Sequence, residues 1–394
     1  MKVLLIGTGA VGEAIALAAQ RRPWLEQLTL ADCNLERAQH VRARSPRPDA
    51  LAVEPVDASD TGRVLELARK HRADLIMNAV SNVYNDSIFD AALEAGCTYL
   101  DMAMSDTGAN MGSHQFGQAA RWEHKGLLAI LGMGMDPGVS DVFAKHAEKN
   151  LFDAIDEIGI RDGAALTVEG AEFAPTFSVL DTIEECTDPA LIWERGRGWY
   201  DVEPFSEPEM FPFPEGIGPL KCVHVEHEEV VLIPRWIKCR RVTFKYGLDD
   251  QFMSIIRAIK ALGLESAEPV SVKGVQVAPR DVLVACLPPP ASLGDRMRGK
   301  TCVGTWVTGT KDGRPRQVYL YQIMDNEFSM REYGCQAVAL QTGIAPVVAM
   351  ELLATGVWTG KGVLGPEAFD PDPFLSLMPN LDLPHAMVEM GDRS

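Results

Sequence analysis

The chain predicts an α/β protein in two parts: a doubly wound parallel sheet, and an inserted α+β domain with a mixed, mostly antiparallel sheet. Three observations carry that prediction. A glycine-rich turn lies between an apolar run and a helix-forming stretch near residue 1. Strand and helix patterns then alternate to about residue 135. Beyond residue 151 they give way to alternating, β-branched segments separated by turns.

The run Lys2-Val3-Leu4-Leu5-Ile6 is short, continuous and free of Gly and Pro, as a strand buried on both faces requires. Gly7-Thr8-Gly9-Ala10-Val11-Gly12 follows. Gly7 permits a tight turn, Gly9 lets a pyrophosphate approach the backbone, and Gly12 lets the next helix lie close to the strand. Ala10 and Val11 open that helix, whose free N–H groups and positive dipole end face the phosphates. Asp32 closes the second apolar run at the spacing where a carboxylate accepts the ribose hydroxyls and repels a 2′-phosphate. The cofactor this predicts is NAD rather than NADP, held in a Rossmann domain.

Asp57 ends a third strand, a position beside the adenine. Asn78 and Ala79 end a fourth, and with Ser81 they lie over the pyrophosphate and nicotinamide ribose. Fifth and sixth strands run through Tyr99-Leu100-Asp101 and Leu127-Leu128-Ala129-Ile130-Leu131, with a helix around residues 114–124 between them. Ligands of such sheets bind at the strands' carboxyl ends, so Ser81, Asp101 and the segment after Leu131 should face one cleft. That segment, Gly132-Met133-Gly134-Met135-Asp136-Pro137-Gly138, reads as a hinge leading into a helix over 139–149.

Strands are then expected at 155–160, 223–231, 241–246, 269–277, 301–310 and 317–322, with a hairpin turn at Asp312-Gly313. Residues 331–351 read as a buried helix returning to the first domain. The predicted organisation is a nucleotide domain at 1–137, an inserted substrate-binding and dimerisation domain at 138–330, and a helical segment from about 331 to 394 completing the first.

A formal net charge of −18 argues against nucleic acid and anionic membranes as partners. No apolar run approaches the roughly 18–20 residues of a membrane span. A cytoplasmic protein acting on a small molecule is expected. Its eight cysteines are scattered without a CxxC pair, which predicts free thiols, no disulfide and no metal site.

The chain resembles the saccharopine dehydrogenase family. The residues that carry the resemblance are Gly7 to Gly12, Tyr99-Leu100-Asp101, Gly134-Met135-Asp136-Pro137-Gly138, His227-Glu228-Glu229, Pro279-Arg280-Asp281, Gly309-Thr310-Lys311-Asp312-Gly313 and Gly362-Val363-Leu364-Gly365-Pro366-Glu367. From His224 onward the similarity leans to the carboxynorspermidine dehydrogenase group. Phe177-Ser178, Thr187-Asp188-Pro189-Ala190-Leu191-Ile192 and Asp32 lean to lysine 6-dehydrogenase. The resemblance implies reversible hydride transfer at a carbon–nitrogen bond of a lysine-like or carboxylated polyamine substrate, and a homodimer. The alternatives are a lysine 6-dehydrogenase acting on a primary amine and a non-catalytic NAD-binding sensor.

Such chemistry needs a group that moves a proton at nitrogen, carboxylates for a cationic amine, and Arg or Lys for a substrate carboxylate. Candidate catalytic residues are Asp101, Asp136, His227 and Glu229; candidate substrate-binding residues are Glu228, Arg235 and Arg241. On the predicted strand His227 and Glu229 share one face and Glu228 takes the other. The competing reading of the triplet is a solvated strand face. Arg280 reads as a structural ion pair.

Overall fold

The protein is described here as a computed structural model covering residues 1–171 and 173–391. Strands β1 (Lys2–Ile6), β2 (Gln27–Asp32), β3 (Leu51–Pro55), β4 (Leu75–Asn78), β5 (Thr98–Leu100) and β6 (Leu128–Ile130) alternate with helices α1 (Ala10–Ala19), α2 (Leu35–Arg44), α3 (Thr61–His71), α4 (Asn85–Ala95), α5 (Ser113–Gly117) and α6 (Ala119–Lys125). Together with Gly362–Leu364 they form a seven-stranded parallel sheet, in which that late strand pairs with β6. Leu4, Leu5 and Ile6 are 0% exposed, as their uninterrupted apolar run requires. Strand order reverses between β1 and β4, so the crevice opens at the carboxyl ends of those two strands.

The hinge leads into α7 (Val139–His146) and the long β7 (Ala154–Val168). Next come α8 (Val179–Thr187), β8 (Ala190–Glu194), β9 (Gly198–Val202), β10 (Glu209–Phe213), β11 (Gly218–His224), α9 (Glu229–Trp236), β12 (Arg241–Gly247) and α10 (Asp250–Ala261). They are followed by β13 (Val270–Val272), β14 (Val275–Val277), α11 (Pro279–Cys286), β15 (Met297–Lys311), β16 (Arg314–Asp325), α12 (Asn326–Tyr333) and α13 (Ala337–Ala354). The chain closes with β17 (Gly362–Leu364), α14 (Pro371–Leu377) and β18 (His385–Glu389). The second sheet has the backbone order β10-β11-β12-β7-β15-β16-β18, and only β12 with β7 is parallel. Asp312 and Gly313 join β15 to β16 with φ of 50° and 71°, the left-handed pair that a two-residue hairpin demands.

Three expectations are corrected. The strand predicted at 223–231 stops at His224, and Glu229 opens α9 instead. Val230, Val231, Leu232 and Ile233 are all at most 1% exposed, so burial around the whole turn overrides the β-branched preference of the run. The stretch 269–277 folds as the separate ribbon β13–β14, whose Val270, Val272 and Val275 are exposed. The C-terminal segment does not serve the first sheet alone, because β18 pairs with β16 in the second.

Against the expectation that no run approaches a membrane span, helix α13 is long and apolar enough by length and composition, yet 72% of it is buried inside the molecule. It packs on α1 through Gly343, where a Cβ would stand 2.8 Å from Ala14 Cβ and 3.1 Å from Val11 O. Gly343→Leu should therefore push α13 off α1, lowering stability by about 1–3 kcal/mol and weakening dinucleotide binding. Thermal melts and fluorescence titration with NADH check this; an unchanged melt would show that the two helices can separate freely.

Candidate active site

The turn after β1 has the shape of a phosphate cradle. Gly7 has φ +95°, and a Cβ on it would lie 2.5 Å from Ala79 O; a Cβ on Gly12 would strike Gly7 O. A Cβ on Gly9 would meet nothing within 4 Å, which leaves the backbone between Gly9 and Val11 open to the cleft at the start of α1. These residues fit a dinucleotide pyrophosphate. Asp32 Oδ2 accepts from Thr8 N at 2.6 Å and Thr8 Oγ1 at 2.7 Å, and Oδ1 accepts from Asn34 N at 2.8 Å. Asp32 is thus fixed at the cleft wall with acceptor capacity left for a ribose hydroxyl.

Arg37, which sequence reasoning missed, lines the cleft beside it, donating from Nε to Thr8 O at 2.9 Å and pairing with Glu13. The available signal was a basic residue on the first turn after the ribose acid. Asn78 braces the exit of β4 against Asn85 Oδ1 at 2.6 Å and Tyr99 Oη at 3.1 Å. Ala79 and Ser81 also line the cleft, and Ser81 Oγ donates to Asp181 Oδ1 at 3.1 Å. Asp57 does not line it: its exposed carboxylate accepts from Ser59 N and Oγ at 2.9 and 2.6 Å, closing its own turn.

The cleft, about 970 Å³, continues from this cradle to the face of the second sheet. At its far end His227 is 2% exposed and stacks on Phe244, with ring centroids 3.7 Å apart and planes 5° from parallel. The triplet expected on a strand lies in the turn from β11 into α9, so its members converge instead of alternating. His227 Nδ1 donates to Glu229 Oε2 at 2.5 Å, with Glu228 Oε2 3.5 Å away, and Nε2 lies 3.5 Å from Tyr246 Oη. Glu229 is 0% exposed, absent from the cleft lining, and accepts the Ser140 hydroxyl at 2.8 Å on its other oxygen. Its contact is with the imidazole. Glu228 lines the cleft, its Oε1 taking Met104 N–H at 3.1 Å.

Asp136 lines the cleft, and its Oδ2 is sealed from solvent with no hydrogen-bond partner. Asp101 is anchored, accepting from Gly132 N and Gln115 Nε2 at 2.7 Å each. Two predictions fail. Arg235 is exposed over the Phe116 ring, and Arg241 lies at a separate depression with Glu207, 3.1 Å from it. Neither lines the cleft, because α9 and β12 turn these side chains away from it. Arg280 approaches Glu184 at 3.7 Å, the ion pair expected of it.

Sequence reasoning also missed Asp162 on β7, Asp181 and Glu185 on α8, and Glu226, all of which line the cleft. Nothing local marks them: β7 and α8 carry further charged residues, and Glu226 lies in the turn after β11. Burial pushes Asp162 and Asp101 up to about 7 and Glu226 up to about 8. Burial also drives Asp136 and Glu185 well above the usual carboxylate range. For His227 burial opposes the charge, but Glu229, Glu228 and Glu185 outweigh it and hold the imidazole well above its ordinary value.

Two family descriptions match the chain: the saccharopine dehydrogenase NADP binding domain over residues 3–130 and the saccharopine dehydrogenase C-terminal domain over 134–381. The chain belongs to the saccharopine dehydrogenase family. It is 33% identical to a carboxynorspermidine synthase of Vibrio alginolyticus, over 99% of this chain and 97% of that one. It is 30% identical to a carboxyaminopropylagmatine dehydrogenase of Synechocystis, over 99% and 98%. The fold is shared with saccharopine dehydrogenase (L-Glu forming) of Saccharomyces cerevisiae, at TM-score 0.72 and 12% identity over 99% of this chain and 100% of that one. This member of the saccharopine dehydrogenase family is an NAD(P)-dependent oxidoreductase acting at carbon–nitrogen bonds.

Two outcomes follow from the site. Asp32→Ala should weaken NADH binding about tenfold, one charge-assisted hydrogen bond, and narrow the gap to NADPH beside Arg37. Fluorescence titration of both nucleotides decides it, and an unchanged ratio would remove Asp32 from cofactor choice. Carboxyls with raised folded-state pKa bind more protons folded than unfolded, so their contribution is present at low pH and lost as pH rises towards 7–8. The ligand-free melting temperature should therefore fall from pH 6 to pH 9; a rise would contradict the protonated state of these groups.

Proposed function

We propose that the chain carries out NAD-linked, reversible oxidoreduction at the carbon–nitrogen bond of a polycationic amine, a carboxylated polyamine in preference to lysine itself. The observation that carries this reading is the charge of the cleft. Asp136, Asp162, Asp181, Glu185, Glu226 and Glu228 line it, and among the described lining residues Arg37, at the ribose end, is the one Lys or Arg. Such a wall is complementary to several ammonium groups. The names of the Vibrio and Synechocystis relatives, both carboxylated polyamines, support the same class. Asp32 supports NAD over NADP. A cytoplasmic homodimer with no nucleic-acid or membrane partner belongs to this proposal.

A dinucleotide held by the Gly7–Gly12 turn and Asp32 would supply or accept the hydride. His227 moves the proton at nitrogen or at the departing hydroxyl, with Nε2 toward the cleft and Nδ1 fixed by Glu229. Its resting state is the imidazolium, so it enters the reaction as an acid. That suits carbinolamine dehydration and the reductive, condensing direction. Asp136, Asp162 and Glu185 line the cleft within electrostatic reach of His227 and would stabilise an iminium formed beside it. Tyr246 reaches His227 Nε2 and closes one wall.

Absorbance of reduced nicotinamide, followed with a panel of lysine, saccharopine, diamines and carboxylated polyamines, and in reverse from aldehyde plus diamine, tests the reading. Turnover is expected with the aldehyde–diamine pair and with the carboxylated polyamine. Lysine as the sole substrate would replace it with a 6-dehydrogenase, and cofactor binding without any turnover would replace it with the sensor. His227→Gln should lower kcat about 10²–10⁴-fold with NADH affinity retained; wild-type turnover would take the acid–base role from His227.

A further inference from the structure

Behind the His227–Glu229 pair lie two carboxyl groups that the proposed chemistry leaves unused. Asp141 is the third residue of α7, and Glu367 sits in the short turn Pro366–Ala368 after β17. Both are 0% exposed. α7, α9 and this turn pack on one another, which buries the two carboxyl groups beside each other, each raising the other's cost of ionisation. Asp141 Oδ2 accepts Gly138 N–H at 2.8 Å, while its Oδ1 has no fixed donor. Apart from the backbone N–H of Glu367 itself, no fixed donor serves either Glu367 oxygen. Residue 365 is glycine where a Cβ would collide with Glu367 Oε2 and with the Trp236 ring.

Two carboxylates cannot touch in a dry interior while both are ionised; one must carry a proton and donate it to the other. The charged groups that face the pair are Glu229 and Arg235 from α9 and Lys145 from α7. Lys145 is engaged by Glu148 at 2.6 Å, and Arg235 stacks over Phe116. Ser140, next to Asp141 in the same helical turn, donates to Glu229 Oε1 at 2.8 Å. A single turn of α7 therefore joins the buried pair to the carboxylate that holds His227.

We propose that Asp141 and Glu367 share one proton and act through Glu229 as positioning residues that set the proton affinity of His227. This rests on His227 being the acid–base group. The shared proton holds the pair at one negative charge, and that charge, buried beside Glu229, favours the imidazolium. Burial, with Glu367 and Glu229 beside it, holds Asp141 well above the usual carboxylate range, so the shared proton stays on the pair, and Glu367, raised by burial to about 7, takes the negative charge above neutrality.

The test uses the full chain as Asp141→Asn, Glu367→Gln and the double variant. Either single amide replaces the shared proton by a permanent N–H donor and keeps one negative charge; the double variant removes it. The readout is the pH titration of the His227 ring in histidine-labelled protein by nitrogen NMR, its signal assigned by loss in His227→Gln, together with the pH profile of kcat/KM. The double variant should lower the His227 midpoint by about one pH unit, each single variant by much less, and the limb of the profile should move with it. A midpoint that stays in place in a double variant with wild-type circular dichroism and NADH affinity overturns the proposal, as does a single variant that shifts it as far as the double. If the double variant does not fold, the infrared difference between wild type and Glu367→Gln at neutral pH decides. Loss of a protonated-carboxyl band supports the shared proton, and its persistence overturns it. The ring titration needs no substrate, so failure of the polyamine reading leaves this test intact.

Discussion

The site is organised by the cost of burying like charges. Asp136, Asp162, Glu185, Glu228 and Glu229 gather around one imidazole in a cleft, and they cannot all be ionised without counter-charge. The chain supplies one cation among them, His227. The remainder is met by protonation, as the raised carboxyls at Asp162 and Glu226 show, or by the ligand. A fold that placed a lysine there would be more stable and would have no reason to bind an amine. Under the proposed function, the same clustering of carboxyl groups is what would favour a cationic substrate over a neutral one.

The hinge between the two sheets is where that arrangement is held in register. Asp101, at the end of β5, accepts from the Gly132 amide, which fixes the chain as it leaves the first sheet. A few residues later Ser140 donates to Glu229 and accepts through its carbonyl from Thr305 Oγ1 at 2.7 Å, which ties the start of α7 to both α9 and β15. The cofactor cradle stands on the first sheet and the imidazole on the second. This segment spans the two, and the Gly132 amide bond makes Asp101 one of its anchors.

Signals carried within one strand–helix–strand unit were legible in the sequence. The turn from Gly7 to Gly12 and the acid at Asp32 follow from strand, turn and dipole rules that need no tertiary knowledge. Asp57 was not, because the end of a strand can face the ligand or the rim, and Ser59 draws this carboxylate to the rim. The triplet His227-Glu228-Glu229 was identified on the wrong element. A run of valines after it suggested a strand, and only its burial on all sides makes it a helix. Arg235 and Arg241 were near in sequence but on the wrong sides of their elements. Asp162, Glu185 and Tyr246 come from three separate elements, and no local pattern marks residues that only packing brings together.

Charge and proton are linked in this cleft by necessity. An ammonium entering beside Asp162 and Glu185 stabilises their ionised forms, so each must release a proton as the amine binds. Ionised, the same carboxyl groups favour the imidazolium of His227, so an ammonium that replaces their protons leaves the ring charged and able to donate. Under the proposed function, one set of buried carboxyls accounts both for which substrate enters and for the proton that the ring holds.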